Sequence, residues 1–213
     1  RGGAATRGGA PMNDERAHDA LTLAERALRH AMRQGATEAE ALVMTEDAAL
    51  TRFANSEIHQ NVAETNVSVN LRFCAGRRIA VASTGRTDDD GLRALVDRAA
   101  AIARTVEELE DWGGLPAPDG NVTLDGLAAA YSDATAKATP EFRAEGARAV
   151  IAAAEALGVL AYGSFATSRE GVAVANSAGI RAAQEQTSSQ LLTVHMSPDG
   201  GTGYAAACAT DAT

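Results

Sequence analysis

The histidines and cysteines of this chain are too scattered along the sequence to form a local metal site. None of the four histidines lies in a His-Glu-x-x-His or His-Glu-x-x-x-His segment, in which one helix face presents two zinc ligands and a general base. Cys74 and Cys208 are far apart, and each is interpreted as a small strand residue rather than half of a disulfide. The sequence also lacks a Gly-x-Ser-x-Gly elbow, a Gly-x-x-x-x-Gly-Lys loop and a Cys-x-x-Cys pair. It therefore predicts no catalytic residue and no metal ligand in this chain.

The densest group of polar side chains surrounds a predicted turn at Asn55-Ser56. Its members are Arg52, Asn55, Ser56, Glu57, His59, Gln60, Asn61 and Glu64. One interpretation is the solvated outer face of a hairpin. The other is a groove or a subunit contact, because an exposed strand edge can accept a peptide by strand addition. On that second interpretation the candidate partner or peptide contacts are Arg52, Asn55, Ser56, His59, Gln60 and Glu64.

The elements that would position this cluster occur twice in the chain. Ala54-Asn55-Ser56 recurs as Ala175-Asn176-Ser177, and Glu64 matches Glu185 at the same offset. Around each copy the order is an Ala-rich helical segment ending in Gly, an apolar strand, the Asn-Ser turn, a polar strand and a longer alternating strand. The repeated order predicts an α+β fold of two similar halves, each with a helix packed on a largely antiparallel sheet.

Periodicity and capping signals locate the individual elements. A first helix is expected from an N-cap at Asn13 to Gly35, and a third helix from an N-cap at Thr139. Thr87 and Asp90 are spaced as in a capping box, so Asp88-Asp89-Asp90 is interpreted as a helix start rather than a cation site. Strands of the first half are expected at 41–44, 50–53, 58–62, 66–73 and 78–83, with hairpin turns at Ala75-Gly76 and later at 198–201.

These elements suggest a domain organisation. Residues 1–12 are expected to be a disordered leader, 13–110 a first α+β unit, 111–139 a linker and 140–213 a second unit. The second unit is expected to be truncated at its C-terminus, because the first half continues into a helix at the position where the second half stops.

Composition excludes several classes of function. The net charge is −9, the isoelectric point is near 4.9 and Lys137 is the only lysine, so nucleic-acid binding is disfavoured. The sequence has no apolar segment near 20 residues and no secretory signal pattern, so neither a membrane partner nor secretion is predicted. A cytoplasmic protein is expected.

Three segments of the sequence resemble the amino-terminal region of the TldD/PmbA family, also called TldD/TldE or modulator-of-gyrase-type proteins. They are LTRFANSEIHQNVAE at 50–64, GRRIAVAST at 76–84 with the helix that follows, and ANSAG at 175–179. The resemblance implies a cytoplasmic metallopeptidase system in which a zinc-bearing subunit pairs with a similar metal-free one. The family's His-Glu-x-x-x-His helix lies beyond the matched region, so the resemblance implies no cofactor in this chain. It implies that zinc is bound by the full-length protein or by its partner subunit.

The resemblance also implies a role for this region. The amino-terminal domain of the family helps to form the dimer and the cavity through which an unfolded peptide reaches the zinc. The expected partners are therefore a homologous TldD/TldE-type subunit or a second copy, and an unfolded peptide substrate. The segments 52–56 and 79–84 favour the metal-free, PmbA/TldE-like branch. The alternative is a non-enzymatic binding or dimerisation module without a role in proteolysis.

Overall fold

The computed structural model describes residues 14–118 and 130–213. The first half contains α1 (Asp14–Arg33), β1 (Glu38–Ala54), β2 (Glu57–Ala75), β3 (Arg78–Thr84) and α2 (Asp89–Ala103). The second half contains α3 (Asp133–Ala136), α4 (Pro140–Ala156), β4 (Leu160–Asn176), β5 (Arg181–Met196) and β6 (Thr202–Ala209). The predicted leader, the predicted cap at Asn13 and residues 119–129 of the predicted linker lie outside the described residues.

All six strands belong to one antiparallel sheet, in the order β3-β2-β1-β4-β5-β6. The α+β class and the like order of the two halves are confirmed, because each half is a helix followed by a three-stranded meander. The two predicted sheets are joined into one, since β1 pairs with β4 over 40–53 and 163–176. We call this β1–β4 pairing the seam.

The strands are longer and fewer than the sequence predicts. Segments 41–44 and 50–53 belong to β1, and 58–62 and 66–73 belong to β2. The acidic pair Glu46-Asp47 suggests a break in β1, but these residues alternate between the two faces and both find partners on β2. Local polarity is therefore a weak indicator of a strand end when both neighbouring strands continue.

Several predicted turns and caps are present, with small shifts. Asn55 and Ser56 form the first turn with φ of 50° and 60°, as a type I′ hairpin requires. The second hairpin turns at Gly76-Arg77, one residue later than predicted. Asp88, rather than Thr87, is the N-cap of α2 and accepts a hydrogen bond of 2.7 Å from the Gly91 amide. Thr139 caps α4 as predicted and accepts from the Phe142 amide.

The helices pack on one face of the sheet and create the core there. The larger apolar cluster joins α1 and α2 to alternate residues of β1, β2 and β3, and it also includes Ala173 and Ala175 of β4. A smaller cluster lies under α4, around Phe53, Ile151 and Ala161. Gly146 allows α4 to approach this part of the sheet, because a Cβ at that position would lie 2.7 Å from the Phe165 ring. The core therefore extends across the seam, and the two halves form one folded body.

The repeated Asn-Ser turns hold the two ends of the seam. The Ser56 amide donates to the Ala161 carbonyl at 3.0 Å, and the Ala161 amide donates to Ser56 Oγ at 3.1 Å. Ser177 makes the same pair of bonds with Ala39, at 2.8 and 3.1 Å. Each half thus uses its turn serine to bind the beginning of the other half's first strand, which explains why the tripeptide recurs.

We predict that Ser177→Ala lowers the free energy of unfolding by about 1–3 kcal/mol, because the buried Ala39 amide loses its acceptor. Urea denaturation followed by circular dichroism measures the change. The control is Ser83→Ala, an exposed strand serine for which a change within about 0.5 kcal/mol is expected. Equal stabilities of the two variants would show that the serine does not hold the seam.

Candidate functional site

The face of the sheet opposite the helices carries polar and apolar side chains from both halves of the chain. We call it the open face. On β1 it carries the even-numbered residues, because the odd-numbered ones point toward the helices. Exposed apolar side chains on this face are Met44, Val81, Leu160, Val172, Met196 and Tyr204. An exposed face of this composition is typical of a binding surface.

A cavity of about 600 Å³ lies on the open face across the seam. Its polar lining comes from four neighbouring strands and includes Glu46, Arg52, Gln60, Glu64, Ser168 and Gln190. A second cavity of about 340 Å³ shares Glu46 and extends past Met44 and Val172. We call the two together the open-face groove. It crosses β2, β1, β4 and β5, so neither half could form it alone.

The structure brings only part of the predicted contact cluster together in this groove. Arg52, Gln60 and Glu64 line it, and Arg52 Nη1 donates to Gln60 Oε1 at 3.3 Å. His59 is exposed at the irregularity where the β1–β2 register shifts. Asn55 and Ser56 make bonds within the chain instead, since the Tyr162 hydroxyl donates to Asn55 Oδ1 at 2.6 Å and Ser56 binds Ala161.

The second wall of the groove was missed by the sequence analysis. It consists of Ser168 on β4 with Ser188 and Gln190 on β5. Gln184, Gln186, Ser188 and Gln190 alternate along β5 with residues that face the helices. That period of two was the available signal, but its pairing with the first half became visible only when β4 was placed beside β1.

The sequence match between Glu64 and Glu185 does not extend to their positions in the fold. Glu64 is exposed on the open face, whereas Glu185 is buried on the helix face. The two hairpins differ in length, with β2 starting at Glu57 after a two-residue turn and β5 starting at Arg181 after residues 177–180. Even-numbered residues face the open side on β5 and on β2 beyond its irregularity, and the offset between the two glutamates (185 − 64 = 121) is odd, so the matched side chains point to opposite faces.

The centre of the seam is charged on the helix face. Asp47 lies opposite Arg169 in the β1–β4 register and accepts hydrogen bonds from Arg16 and Thr65. Partial burial favours a higher pKa for Asp47, but the bonds from Arg16 and Thr65 and the nearby arginine charges hold that pKa below its ordinary value. Arg169 Nη2 in turn donates to both carboxylate oxygens of Glu185 at 2.8 Å. The carboxylates of this cluster are paired within the chain, whereas Arg169 Nε is buried without a hydrogen-bond partner among the described residues.

The cysteines have no pairing role in the described structure. Both are free thiols, Cys74 buried and Cys208 exposed in the groove. Burial and the Glu38 charge raise the pKa of Cys74 to about 11, so its thiolate is not populated at neutral pH. Among residues 14–118 and 130–213, no group of three His, Cys, Asp or Glu side chains is placed to hold a metal ion. No helix in these ranges is long and apolar enough to cross a membrane.

Comparison with known proteins relates this fold to a family. Residues 39–103, which run from β1 through the end of α2, match the family model of PmbA/TldA metallopeptidase domain 1. The predicted resemblance to the TldD/PmbA amino-terminal region is confirmed. No curated protein sequence matches the chain significantly.

Solved structures of similar fold cover both halves of the chain. TldE from Thermococcus kodakarensis is 18% identical with a TM-score of 0.72, covering 89% of this chain and 43% of that one. A candidate modulator of DNA gyrase from Bacteroides thetaiotaomicron VPI-5482 is 19% identical, with a TM-score of 0.68 and coverage of 88% and 43%. Another from Thermotoga maritima MSB8 is 12% identical, with a TM-score of 0.67 and coverage of 88% and 42%. The chain therefore spans less than half the length of these proteins.

We predict that Asp47→Asn lowers the free energy of unfolding by about 1 kcal/mol at pH 7, because the carboxylate bonded to Arg16 and Thr65 is lost. The pKa of Asp47 is lower in the folded state than its ordinary value of 3.8. The carboxylate therefore contributes its full stabilisation above pH 3.8, and this stabilisation is lost as the pH falls through the pKa of the folded state. Urea titrations at pH 7 and pH 3 measure this. The control Asp111→Asn, at an exposed position, should change stability little at either pH. If Asp47→Asn loses the same stability at pH 7 and at pH 3, the Asp47 carboxylate does not stabilise the seam.

Proposed function

We propose that this chain is the amino-terminal part of a cytoplasmic TldD/PmbA-type zinc metallopeptidase system, in which it contributes to subunit pairing and to the cavity that admits an unfolded peptide. The observation that carries the proposal is the open-face groove, which joins polar side chains from both halves on one exposed surface. The family-model match at 39–103 supports the peptidase context. The zinc would be held by the rest of the full-length protein or by its partner subunit.

The chemistry of the groove suits a peptide backbone. Gln60 and Gln190 carry amide groups that donate and accept hydrogen bonds, and Ser168 and Ser188 carry hydroxyls that do both. Such groups can satisfy the N–H and C=O groups of an extended chain whatever its side chains are. Apolar neighbours such as Ala48, Leu50 and Val62 line the same cavity and can contact the side chains of the peptide.

We assign the chain to the metal-free, PmbA/TldE-like branch. The segments 52–56 and 79–84 favour that branch, and the fold likeness includes a protein named TldE. The partner would be a homologous TldD/TldE-type subunit or a second copy of the chain. The acidic composition gives no support to nucleic acid as a ligand.

A second candidate function is a non-enzymatic binding or dimerisation module. The exposed apolar side chains of the open face favour it, because Leu160, Met196 and Tyr204 lie outside the groove and suit a protein interface. The two candidates differ in whether the assembled full-length protein hydrolyses a peptide.

We predict that Arg52→Ala/Gln60→Ala in the assembled full-length protein slows hydrolysis of an unfolded peptide by about tenfold, as expected when about 1.4 kcal/mol of binding is lost. Both side chains are exposed, so the free energy of unfolding should change by less than about 0.5 kcal/mol. Turnover of a fluorogenic peptide and sedimentation of the assembled complex are measured in parallel.

The matched control for this variant is Arg33→Ala/Gln34→Ala, which removes the same residue types at the exposed end of α1, away from the groove. It should turn over peptide at the wild-type rate. If the groove variant also assembles and hydrolyses peptide at the wild-type rate, the groove does not belong to the peptide path.

We also predict that the isolated 213-residue chain, washed with chelator and dialysed against zinc, retains no stoichiometric zinc and cleaves no peptide. A structural zinc needs four ligands, and the scattered histidines and cysteines provide no local set. Elemental analysis and a peptidase assay test this. One equivalent of retained zinc, or hydrolysis that chelation abolishes, would show that the chain itself carries a metal centre.

A further inference from the structure

Two glutamates face each other across the seam on the open face. Glu46 of β1 and Glu170 of β4 are direct partners in the antiparallel register. Cβ atoms of directly opposed residues lie about 4.5–5.5 Å apart, and like charges in this arrangement repel. Glu64 adds a third carboxylate to the same cavity as Glu46. The fold therefore concentrates negative charge in the middle of the open-face groove.

Only neutral groups contact these carboxylates within the described residues. Glu46 accepts from Asn66 Nδ2 at 3.5 Å. Glu170 accepts from Ser168 Oγ at 3.0 Å and from Gln186 Nε2 at 2.8 Å. Among residues 14–118 and 130–213, neither glutamate has an ion pair with Arg, Lys or His.

Three other carboxylates in the same sheet are neutralised, unlike the opposed pair. Asp47 pairs with Arg16 on the helix face, and Glu185 pairs with Arg169. On the open face itself, Glu40 pairs with Arg72 at 2.8 Å. A like-charge pair that is retained while its neighbours carry partners is a local conflict of the kind found at functional sites.

The surroundings of the glutamate pair are apolar on one side. Met44 and Val172, the next outward-facing pair along the seam, are opposite each other and are exposed by 47% and 40%. They line the part of the groove that also contains Glu46 and Glu170. A ligand bound there would exclude water from the carboxylates and strengthen their attraction for a cation.

We propose that the open-face groove selects extended peptide segments in which a lysine or arginine lies two residues from an apolar residue, because side chains two residues apart share one side of an extended chain. The cation lies between Glu46 and Glu170, and the apolar side chain lies on Met44 and Val172. This inference rests on the proposed function, in which the groove receives an unfolded peptide, and it adds a preference for positive charge.

The test measures binding of two unstructured, fluorescently labelled ten-residue peptides to the 213-residue chain by anisotropy. The peptides are identical except that a central Leu-Ser-Lys is replaced by Leu-Ser-Glu, which keeps the two recognised side chains on one side of the extended peptide. We expect the Lys peptide to bind about tenfold more tightly at low salt, and the ratio to fall as salt is added. Glu46→Gln/Glu170→Gln should reduce the ratio to about twofold or less. The control Glu107→Gln/Glu145→Gln makes the same change in net charge at exposed helix-side positions and should leave the ratio unchanged.

A charge reversal keeps the test decisive if the double variant binds weakly for another reason. Glu46→Lys/Glu170→Lys should make the Glu peptide the tighter ligand, because two cations then outweigh the remaining Glu64 carboxylate. Equal binding of the two peptides to the wild-type chain, or a Lys preference that survives Glu46→Gln/Glu170→Gln, would overturn the inference. In either case, the proposed function would stand if Arg52→Ala/Gln60→Ala still slows peptide hydrolysis by the assembled full-length protein. If Arg52→Ala/Gln60→Ala hydrolyses peptide at the wild-type rate, the result counts against the proposed function itself.

Discussion

The structure depends on the pairing of β1 with β4. Each strand is the first of a three-stranded meander, and neither meander has a second neighbour for that strand without the other. An unpaired inner edge would expose a row of backbone N–H and C=O groups. Pairing the two edges satisfies these groups and places the residues that surround Asp47 and Arg169 at the centre of the sheet. Ser56 then binds Ala161 at one end of the seam, and Ser177 binds Ala39 at the other end. These two contacts fix where the paired segments begin and end.

The register of the seam also assigns every side chain to a face. Asp47 and Arg169 point toward the helices, where Arg16 and Thr65 bind the Asp47 carboxylate and Glu185 binds Nη2 of Arg169. Glu46 and Glu170 are their immediate neighbours in sequence, and they point to the open face, where only amide and hydroxyl groups contact them. A shift of β4 by one residue against β1 would turn Arg169 to the open face and would bury the Glu170 carboxylate under the helices. The charged centre therefore contributes to specifying the register as well as to stability.

The two halves are similar in topology but differ where the function is proposed. The longer turn of the second hairpin moves the polar residues of β5 relative to those of β2, so the groove has different walls. Arg52, Gln60 and Glu64 come from the first half, and Ser168, Ser188 and Gln190 come from the second. The shared order of elements gives the two halves a common frame, and their different hairpins produce an asymmetric surface that can bind an asymmetric chain such as a peptide.

The sequence by itself determined the local elements and the class of the fold. Alternation along 66–73, the Asn-Ser turns and the Thr139 cap depend on neighbouring residues only, so they could be predicted, and the resemblance at 50–64 and 76–84 indicated the family. The tertiary structure decided which strands merged, that the two sheets became one, and which polar residues share the groove. Asn55 and Ser56 belong to the same polar run as Gln60, yet only the pairing of β1 with β4 assigns them to the seam and Gln60 to the open face. The physical reason is that strand pairing joins residues more than 100 positions apart, and its register depends on the packing of both faces at once.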